Sequence, residues 1–327
     1  MTTGGQMRVA TLNPRSATEL GVEAFLTDLD AATIDGVGRR TRQAYATDLG
    51  QFALFLHTCI AGPTVANVHS THVQAFCEQL LAEGRQPRTV ARKLVAVRSL
   101  FRFLQRQGIR ADNPARDLKS PAVTDGTVPL TEAQIRALLQ LPQRDCFTGI
   151  RNHAMLELLY GAGLRLDELL ALNLSHLDLD GGRLRVRRDS GRNTYTPLGR
   201  AATSAVRDYL LHRADALVSR EIVDVDAGAL FISARGRRLR PRTVQRVVER
   251  YMRILDRAEG GWEREQLRRR RGPTTLRIAC EQHLIEAGAD PGMVATLLGR
   301  RSIRVAKVAP TDTDTLLARY RQAHPRA

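Results

Sequence analysis

The sequence predicts a mainly helical protein with two domains and a small antiparallel β-sheet in the second domain. The first observation behind this prediction is that most of the chain repeats its apolar residues at helical spacing. The second is a turn-rich stretch at 111–127 that breaks the helical period. The third is a short stretch near 183–196 where the period changes to two. A chain of 327 residues, 43% of them hydrophobic, is long enough to bury two cores.

The first domain is predicted at 16–110, behind a flexible N-terminal arm at 1–15 that has no periodic pattern. Within this domain, four helices are predicted near 17–31, 39–57, 70–84 and 87–107. In the second of these helices, Tyr45, Leu49 and Phe52 fall on one face, as a helix that packs against a core requires. The spacing therefore predicts a compact four-helix unit whose basic residues face outward.

The second domain is predicted at 128–327, after an interdomain linker at 111–127. Its first helix is expected to begin after Thr131, with the negative charge of Glu132 favouring the first turn. A β-hairpin is predicted from two alternating segments and the turn between them, at 183–187, 194–196 and 189–191. Further helices are predicted near 200–218, 241–256, 274–287, 290–298 and 313–322.

The charge of the chain is strongly positive, with a formal net charge of +16 and an isoelectric point near 10.9. Lysine occurs only as Lys93, Lys119 and Lys307, so arginine carries almost all of this charge. The excess predicts a polyanionic partner such as nucleic acid, because arginine binds phosphate and guanine edges through a planar fork. Two alternatives remain: a solvated basic surface, and a GC-rich coding sequence that produces the arginine bias.

Other classes of protein are disfavoured by what the sequence lacks. Cys59, Cys77, Cys146 and Cys280 form no CxxC pair and have no histidine at ligand spacing, so we expect reduced core thiols, no metal and no cofactor. No stretch of about 18 apolar residues could span a bilayer, and the N-terminus has no apolar signal segment. The sequence therefore predicts a soluble, cytoplasmic, nucleoid-associated protein without a membrane partner.

Three short segments carry a resemblance to a known family. They are Gly163-Leu164-Arg165-Leu166-Asp167-Glu168-Leu169, Thr274-Thr275-Leu276-Arg277 and Leu297-Leu298-Gly299-Arg300. In order and spacing they resemble active-site segments of the tyrosine recombinases, the phage-integrase and Xer family. Weaker matches at 41–49, 88–94 and 324–327 extend the resemblance over nearly the whole chain. It implies the tyrosine recombinase fold, with a SAM-like helical core-binding domain before a catalytic-type domain.

The resemblance also implies a chemistry. In that family two arginines hold the scissile phosphate, a hairpin lysine and two histidines manage protons and charge, and a tyrosine attacks to form a phosphotyrosyl intermediate. Arg165 and Arg277 match the two arginines, and bidentate arginines suit an anionic phosphodiester. The alternative is that either arginine only caps a helix or pairs with Glu168.

Four positions depart from the family pattern. Asp189 lies where the family has its lysine, and a carboxylate there repels phosphate at neutral pH. Thr274 replaces the histidine before Arg277, and Arg300 replaces the histidine after the Leu-Gly pair. Ala309 lies where the attacking tyrosine is expected. The catalytic set is therefore predicted to be degenerate, with Arg300 kept as a third candidate for holding phosphate.

Several residues of the sequence could substitute for the missing groups. Arg188 or Arg192 could replace the charge of the lysine without readily supplying a proton. Tyr320 is interpreted as a packing residue of the last helix rather than as a relocated nucleophile. Hydroxyl groups without a neighbouring histidine in the sequence occur at Ser302, Thr311 and Thr313.

Basic residues elsewhere are predicted to contact the backbone of duplex DNA. These candidates are Arg42, Arg88, Arg92, Lys93, Arg237, Arg238, Arg240, Arg242, Arg268 and Arg269. The preferred hypothesis is a DNA-binding pseudo-recombinase that acts in site-specific recombination or integration, with an active tyrosine recombinase or by self-association on DNA. The alternatives are an active recombinase with a relocated nucleophile, and a site-specific repressor or architectural protein.

Overall fold

The computed structural model describes residues 21–31, 39–122, 129–188, 193–219, 225–263, 270, 272–299 and 313–327. The chain divides into two compact units, Met1–Asp125 and Gly126–Ala327. Helices make up most of both units, and a three-stranded antiparallel sheet lies in the second. The fold class predicted from the sequence is confirmed.

The N-terminal unit contains four helices: α1 (Val22–Ala31), α2 (Arg39–Cys59), α3 (Ser70–Ala82) and α4 (Pro87–Arg106). Each lies where the apolar periodicity predicted a helix. Phe52 and Phe76 pack edge to face, with ring centroids 5.2 Å apart, at the centre of a core to which all four helices contribute. Helix α4 begins at Pro87, because a proline at the first helical position lacks only an N–H that would have no partner there.

The segment after α4 is held against the N-terminal unit. Arg98 donates from Nε to the carbonyl oxygen of Ala115 at 3.0 Å and from Nη2 to that of Leu118 at 2.8 Å. Asn113 donates from Nδ2 to the carbonyl oxygen of Arg98 at 3.1 Å, and Ala115 is buried in the core. The first part of the predicted linker at 111–127 therefore packs as part of this unit.

The C-terminal unit contains α5 (Glu132–Gln140), α6 (Phe147–Gly161), α7 (Leu166–Ala171), β1 (Leu177–Asp178), β2 (Arg183–Arg187), β3 (Asn193–Pro197), α8 (Arg200–Ser219), α9 (Pro241–Ala258), α10 (Thr274–Glu286), α11 (Pro291–Leu297) and α12 (Thr313–Ala323). The strand order is β1-β2-β3, and Leu184 pairs with Thr196 across β2 and β3. Thr131 caps α5, as predicted, by accepting from the backbone N–H of Gln134 at 3.2 Å. The predicted turn at 189–191 lies outside the described residues.

Helix α6 forms the centre of the C-terminal unit and was not predicted. It is buried along almost its whole length and packs against α8 and α10. Polar residues such as Asn152, His153 and Glu157 are buried with the apolar ones, so the sequence of α6 has no polar outer face from which a helical period could be recognised. The short helix α7 was missed as well.

The chain turns sharply between α6 and α7. Gly163 has a φ of +56°, in the left-handed region that favours glycine. A β-carbon at this position would collide with the side chain of Leu298, which follows α11. The turn therefore needs a glycine for both backbone and packing reasons, and it places the start of α7 beside the end of α11.

Expectations for membrane spans, thiols and metal ligands also follow from the sequence, and each bears on the described residues. None of the described helices is both long enough and apolar enough to cross a membrane. The expectation of core thiols is wrong for Cys59 and Cys146, which are exposed, whereas Cys280 is buried. Among the described side chains, no three His, Cys, Asp or Glu are arranged to hold a metal ion.

Candidate phosphate-binding site

The three segments that carry the family resemblance meet in the C-terminal unit. Arg277, on the first turn of α10, is buried. Its Nη1 donates to the carbonyl oxygen of Gly163 at 2.7 Å, and its Nη2 donates to the carbonyl oxygen of Leu298. Arg165 is the N-cap residue of α7 and is half-buried. The fold thus brings both predicted phosphate-binding arginines to the same turn.

Glu168 is the buried counter-ion of this site. Its Oε2 accepts from the backbone N–H of Arg165 at 2.8 Å and lies 3.6 Å from Nη1 of Arg277. Its Oε1 accepts from Nη1 of Arg188 at 2.9 Å. One carboxylate therefore links the start of α7, helix α10 and the end of β2.

Arg188 supplies a third guanidinium to the site. It follows β2 and is buried, and it donates to Thr194 Oγ1 at 3.2 Å, to Thr196 Oγ1 at 2.8 Å and to the carbonyl oxygen of Leu297 at 2.6 Å. Its stem lies against Gly299, where a β-carbon would be 2.7 Å from Arg188 Cδ. Arg188 therefore joins the hairpin to α7 and to the end of α11.

Positive charge is concentrated at this site. Among the described residues, the carboxylate of Glu168 contacts both buried guanidinium groups, those of Arg188 and Arg277, and Arg165 adds a further positive charge at the edge. A buried cation without a full counter-charge is costly, and a bound monoanion such as a phosphodiester reduces that cost. The ion pair between Arg277 and Glu168, which is the alternative to phosphate binding, is present at 3.6 Å.

The degenerate positions can be located only in part. Thr274 is exposed at the first residue of α10, three residues before Arg277. Asp189, Arg300 and Ala309 lie outside the described residues, so their predicted roles stay predictions. The same holds for Arg192, Ser302, Thr311 and the side chain of Thr313.

All six tyrosines of the chain lie among the described residues. Tyr45 belongs to the N-terminal unit, and the hydroxyl groups of Tyr160, Tyr209 and Tyr251 are bonded to His283, to the carbonyl oxygen of Leu230 and to Asn152. Tyr320 is fully buried and donates to the carbonyl oxygen of Gly161 at 2.8 Å; burial raises the pKa of its phenol well above the usual value. The packing role predicted for Tyr320 agrees with this position.

Tyr195 is the remaining tyrosine and is 49% exposed. It lies on β3 between Thr194 and Thr196, whose hydroxyl groups contact Arg188. Because side chains alternate along a strand, Tyr195 is on the opposite face of the sheet from Arg188. Its ring instead lies 5.9 Å from the guanidinium of Arg183.

The buried histidines of the C-terminal unit belong to a second cluster. His283 accepts or donates at Nδ1 with the hydroxyl of Tyr160 at 2.9 Å, and His324 stacks on Tyr320 with ring centroids 4.6 Å apart. His153 lies 3.5 Å from Glu157. Burial lowers the pKa of His324 to about 3, so this imidazole is neutral at physiological pH. These imidazoles hold the C-terminal tail rather than Arg277.

The predicted DNA-contacting residues are placed in different ways. Arg42 is half-buried, whereas exposed side chains are found at Arg88, Arg92, Arg237, Arg240 and Arg242. Arg92 also pairs with the buried Asp48 on α2. Arg268 and Arg269 lie outside the described residues.

Two of the predicted DNA contacts do not fit the structure. Lys93 is only 4% exposed, and its ammonium donates to Asp48 at 2.8 Å and to Gln51 at 2.6 Å. Arg238 donates to the carboxylate of Asp226 at 3.0 Å and to the carbonyl oxygens of Leu170 and Leu172 at 2.9 and 3.0 Å. Both cations are used to hold the fold, because each has a carboxylate partner that is distant in the sequence.

Sequence reasoning did not single out the two threonines that fix Arg188. Thr194 and Thr196 are two residues apart on β3, so they share a face of the strand. The period of two that predicted the hairpin contains this information. It does not show which face of the hairpin meets Arg188, since that depends on how the hairpin packs against α7.

Comparison with known proteins agrees with this geometry. The family model described as "Phage integrase family" matches residues 129–309, and the one described as "Phage integrase, N-terminal SAM-like domain" matches residues 22–108. The chain belongs to the phage integrase family. The resemblance to tyrosine recombinases inferred from the sequence motifs is thereby confirmed.

Individual relatives extend the match over most of the chain. A protein named tyrosine recombinase XerC from Thermodesulfovibrio yellowstonii is 32% identical over 292 residues, which cover 89% of this chain and 92% of the relative. A protein of the same name from Pseudomonas fluorescens is 34% identical over 295 residues, which cover 89% of this chain and 92% of the relative. Both units of this chain therefore have counterparts in these relatives.

Solved structures show the same fold at lower sequence identity. The site-specific recombinase XerH bound to palindromic difH substrate has a TM-score of 0.65 and 17% identity, covering 88% of this chain and 81% of that chain. The Tn1549 transposon integrase in complex with circular intermediate DNA has a TM-score of 0.61 and 15% identity, covering 90% and 97%. These matches carry the fold assignment alone.

Proposed function

We propose that this protein binds duplex DNA at a recombination or integration site without cutting it, as a catalytically inactive member of its family that acts beside an active tyrosine recombinase. The observation that carries the proposal is the position of the tyrosines. Five of the six lie in the C-terminal unit, four of them with their hydroxyl groups bonded away from Arg277 and Tyr195 on the far face of the sheet. Ala309 occupies the position expected for the nucleophile.

DNA binding is supported by charge and by the retained phosphate site. The net charge of +16 favours a polyanion, and Arg165, Arg188 and Arg277 bring three guanidinium groups to one turn of the C-terminal unit. The names of the relatives are those of recombinases, and two structures with this fold have DNA bound. We propose the cytoplasm, with the protein on the nucleoid, as its place in the cell.

Loss of cleavage is further supported by the groups that would have to move protons. A leaving 5′-oxygen needs a proton donor, and arginine is a poor one because its pKa is far above neutral. Arg188 keeps positive charge near the hairpin, but it donates to Glu168, Thr194, Thr196 and a backbone carbonyl among the described residues. This arrangement fits holding a phosphate better than cleaving a phosphodiester.

The proposal is tested by covalent trapping. Duplex sites are first selected from a random-sequence pool by binding to the purified protein, and the same sites are then prepared with a nick that makes cleavage irreversible. We expect specific binding and no protein–DNA adduct on a denaturing gel, for the wild type and for Ala309→Tyr. Restoring one group of a catalytic unit recovers little while the others are missing.

The alternatives give different results in the same assay. An adduct formed by the wild type and lost in Tyr320→Phe or Thr311→Ala would overturn the proposal in favour of a relocated nucleophile. Binding without an adduct, combined with no effect on strand exchange by an active recombinase encoded beside it, would favour a repressor or architectural protein. If binding enriched no duplex from the random-sequence pool, all three hypotheses would be contradicted.

A further inference from the structure

Five arginines form a continuous exposed face on α9. This face, called here the α9 arginine face, consists of Arg242, Arg246, Arg250, Arg253 and Arg257, all of them exposed. Successive members are four, four, three and four residues apart. At about 100° per residue this spacing places all five within an arc of about 80°, over a length of about 22 Å. Only Arg242 had been singled out from the sequence.

The other side of α9 is fixed in the core. Val244, Val248, Met252 and Leu255 are buried, and the helix packs against α5 and α7. Helix α7 begins beside Arg165. The arginine face therefore belongs to the same packed body as the candidate phosphate site, and it presents its guanidinium groups from a rigid support.

The arrangement is unfavourable for an isolated helix. Like charges three or four residues apart repel each other, and this face contains four such neighbouring pairs. Arg242 and Arg246 also lie near the N-terminus of α9, where the helix dipole disfavours positive charge and where the first turn has no acidic residue. Within the described part of the chain, Glu249 offsets this by pairing with Arg253 at 2.8 Å. A bound polyanion would relieve the remaining repulsion.

The composition of the face indicates the kind of polyanion. Protein interfaces are centred on apolar and aromatic side chains. The face itself contributes only guanidinium groups, and Ile254, 37% exposed, is the large apolar side chain at its border. A row of long, adaptable cations without an apolar centre suits the regularly spaced phosphates of a nucleic-acid strand, which follow one another at about 3.4 Å per base pair.

We propose that the α9 arginine face binds the phosphate backbone of duplex DNA over roughly six base pairs beyond the site at Arg165 and Arg277. The inference rests on the proposed DNA binding of this protein, but it does not depend on whether the protein cuts DNA. It assigns to Arg250, Arg253 and Arg257 a contribution to affinity that is independent of base sequence.

The test removes the far half of the face and keeps the helix. The variant Arg250→Gln/Arg253→Gln/Arg257→Gln loses three charges and retains good helix formers. Its matched control, Arg136→Gln/Arg207→Gln/Arg319→Gln, loses three exposed arginines from α5, α8 and α12. Thermal unfolding of both verifies that they are folded. The measurement is affinity for a selected duplex across a salt series, and for the same duplex shortened stepwise from each end.

The expected results separate this inference from the proposed function. The face variant should bind on the order of tenfold to a hundredfold more weakly at low salt. The slope of the logarithm of its binding constant against the logarithm of salt concentration should become less steep by about two to three. The control should stay close to the wild type. Shortening the duplex at one end should weaken the wild type and leave the face variant unaffected.

Three outcomes would overturn the inference. One is equal weakening of the face variant and the control, because only net charge would then matter. Another is loss of affinity in Arg250→Lys/Arg253→Lys/Arg257→Lys, which keeps the charge. The third is unchanged duplex binding with lost retention on immobilised poly-glutamate, which would indicate an acidic protein partner. A wild type that binds no duplex would contradict the proposed function instead.

Discussion

The C-terminal unit contains two buried carboxylates with opposite surroundings. Glu168 lies against Arg188 and Arg277, with Arg165 at its edge. Glu157, on α6, accepts from Arg326 of the C-terminal tail and lies beside His153, while the neighbouring His324 is neutral. Among the described residues, the carboxylate of Glu168 contacts two buried guanidinium groups, whereas that of Glu157 contacts the guanidinium of Arg326. A further guanidinium of the Glu157 cluster, that of Arg144, contacts His153 at 3.0 Å.

Under the proposed function, the Glu168 cluster takes an anion, whereas the Glu157 cluster holds the C-terminal tail. Burial alone would raise the pKa of Glu157, but hydrogen bonds from His153 and Arg326 outweigh it, and the pKa of this carboxyl is lowered. Glu157 therefore uses its full negative charge to hold the tail. Glu168 shares one negative charge among several guanidinium groups and aligns them.

The largest expected effect comes from removing the carboxylate of Glu168. Glu168→Gln removes the carboxylate that both buried guanidinium groups contact, and we expect it to lower the free energy of unfolding by about 3–5 kcal/mol. Urea denaturation measures this loss, and Asp167→Asn, which removes the exposed carboxylate next to it, is the control.

Added sulfate sharpens the comparison between the two clusters. It should restore part of the stability of Glu168→Gln, because the anion replaces the missing charge between the arginines. The same addition should do less for Glu157→Gln, because the guanidinium group that contacts the carboxylate of Glu157 is that of Arg326, which is partly exposed. If sulfate stabilised both variants equally, or neither, the surrounding guanidinium groups would not distinguish the two carboxylates.

A smaller loss of stability is expected when the pH is lowered, and it should arise in the Glu157 cluster, which includes His324. The folded-state pKa of His324 is about 3, below its usual 6.5, so the unfolded chain takes up a proton that the folded chain does not. The contribution of His324 to the free energy of unfolding is therefore fully present above pH 6.5. It decreases as the pH falls, by about 2 kcal/mol at pH 5. In His324→Asn the unfolding midpoint should change less between pH 7.5 and 5. If the unfolding midpoint of His324→Asn changed with pH as much as that of the wild type, the prediction would be contradicted.

A still smaller effect is expected from adding one methyl group beside Arg188. Gly299 and Gly288 both have positive φ values, +61° and +83°, so alanine strains either one by about 1 kcal/mol. At Gly288 the added carbon meets open space, but at Gly299 it meets the stem of Arg188. Gly299→Ala should therefore cost about 1 kcal/mol more than Gly288→Ala, as measured by thermal unfolding.

The smallest expected effect is the reactivity of Cys280, which reports on the Glu157 cluster. Its thiol is buried 3.8 Å from His324 Nε2, and burial raises its pKa to about 12. About a thousandfold less thiolate than at the usual pKa of 9.0 makes alkylation slow. At pH 8, iodoacetamide should modify the exposed Cys59 and Cys146 and leave Cys280 intact, as read by mass spectrometry. Rapid labelling of Cys280 would show that the tail opens readily.

How far the sequence predicts the molecule depends on what each element faces. The four N-terminal helices and α9 each have an apolar and a polar face, so their periodicity located them. Helix α6 is buried on all sides and gave no such signal. The meeting of Arg165 and Arg277 followed from the motifs, because the family resemblance carries the fold with it.

The two predicted DNA contacts that do not fit the structure are cations with partners outside the local sequence. Lys93 is buried against Asp48, which is 45 residues away, and Arg238 reaches Asp226, the 170–172 carbonyl groups and Asn173. Nothing in a local run of basic residues distinguishes a cation that holds the fold from one that faces solvent. The distinction requires knowing which carboxylate the fold brings near, and that is tertiary information.

The turn at Gly163 has a consequence for how family motifs are interpreted. A side chain there would collide with Leu298, and the carbonyl oxygen of Gly163 accepts from Arg277. Mutations that break this glycine or this arginine would therefore damage folding before they affected any chemistry. A descendant that had lost strand cleavage would still be selected to keep both residues. Survival of this motif is thus a record of ancestry and packing, and says little about whether the enzyme still turns over.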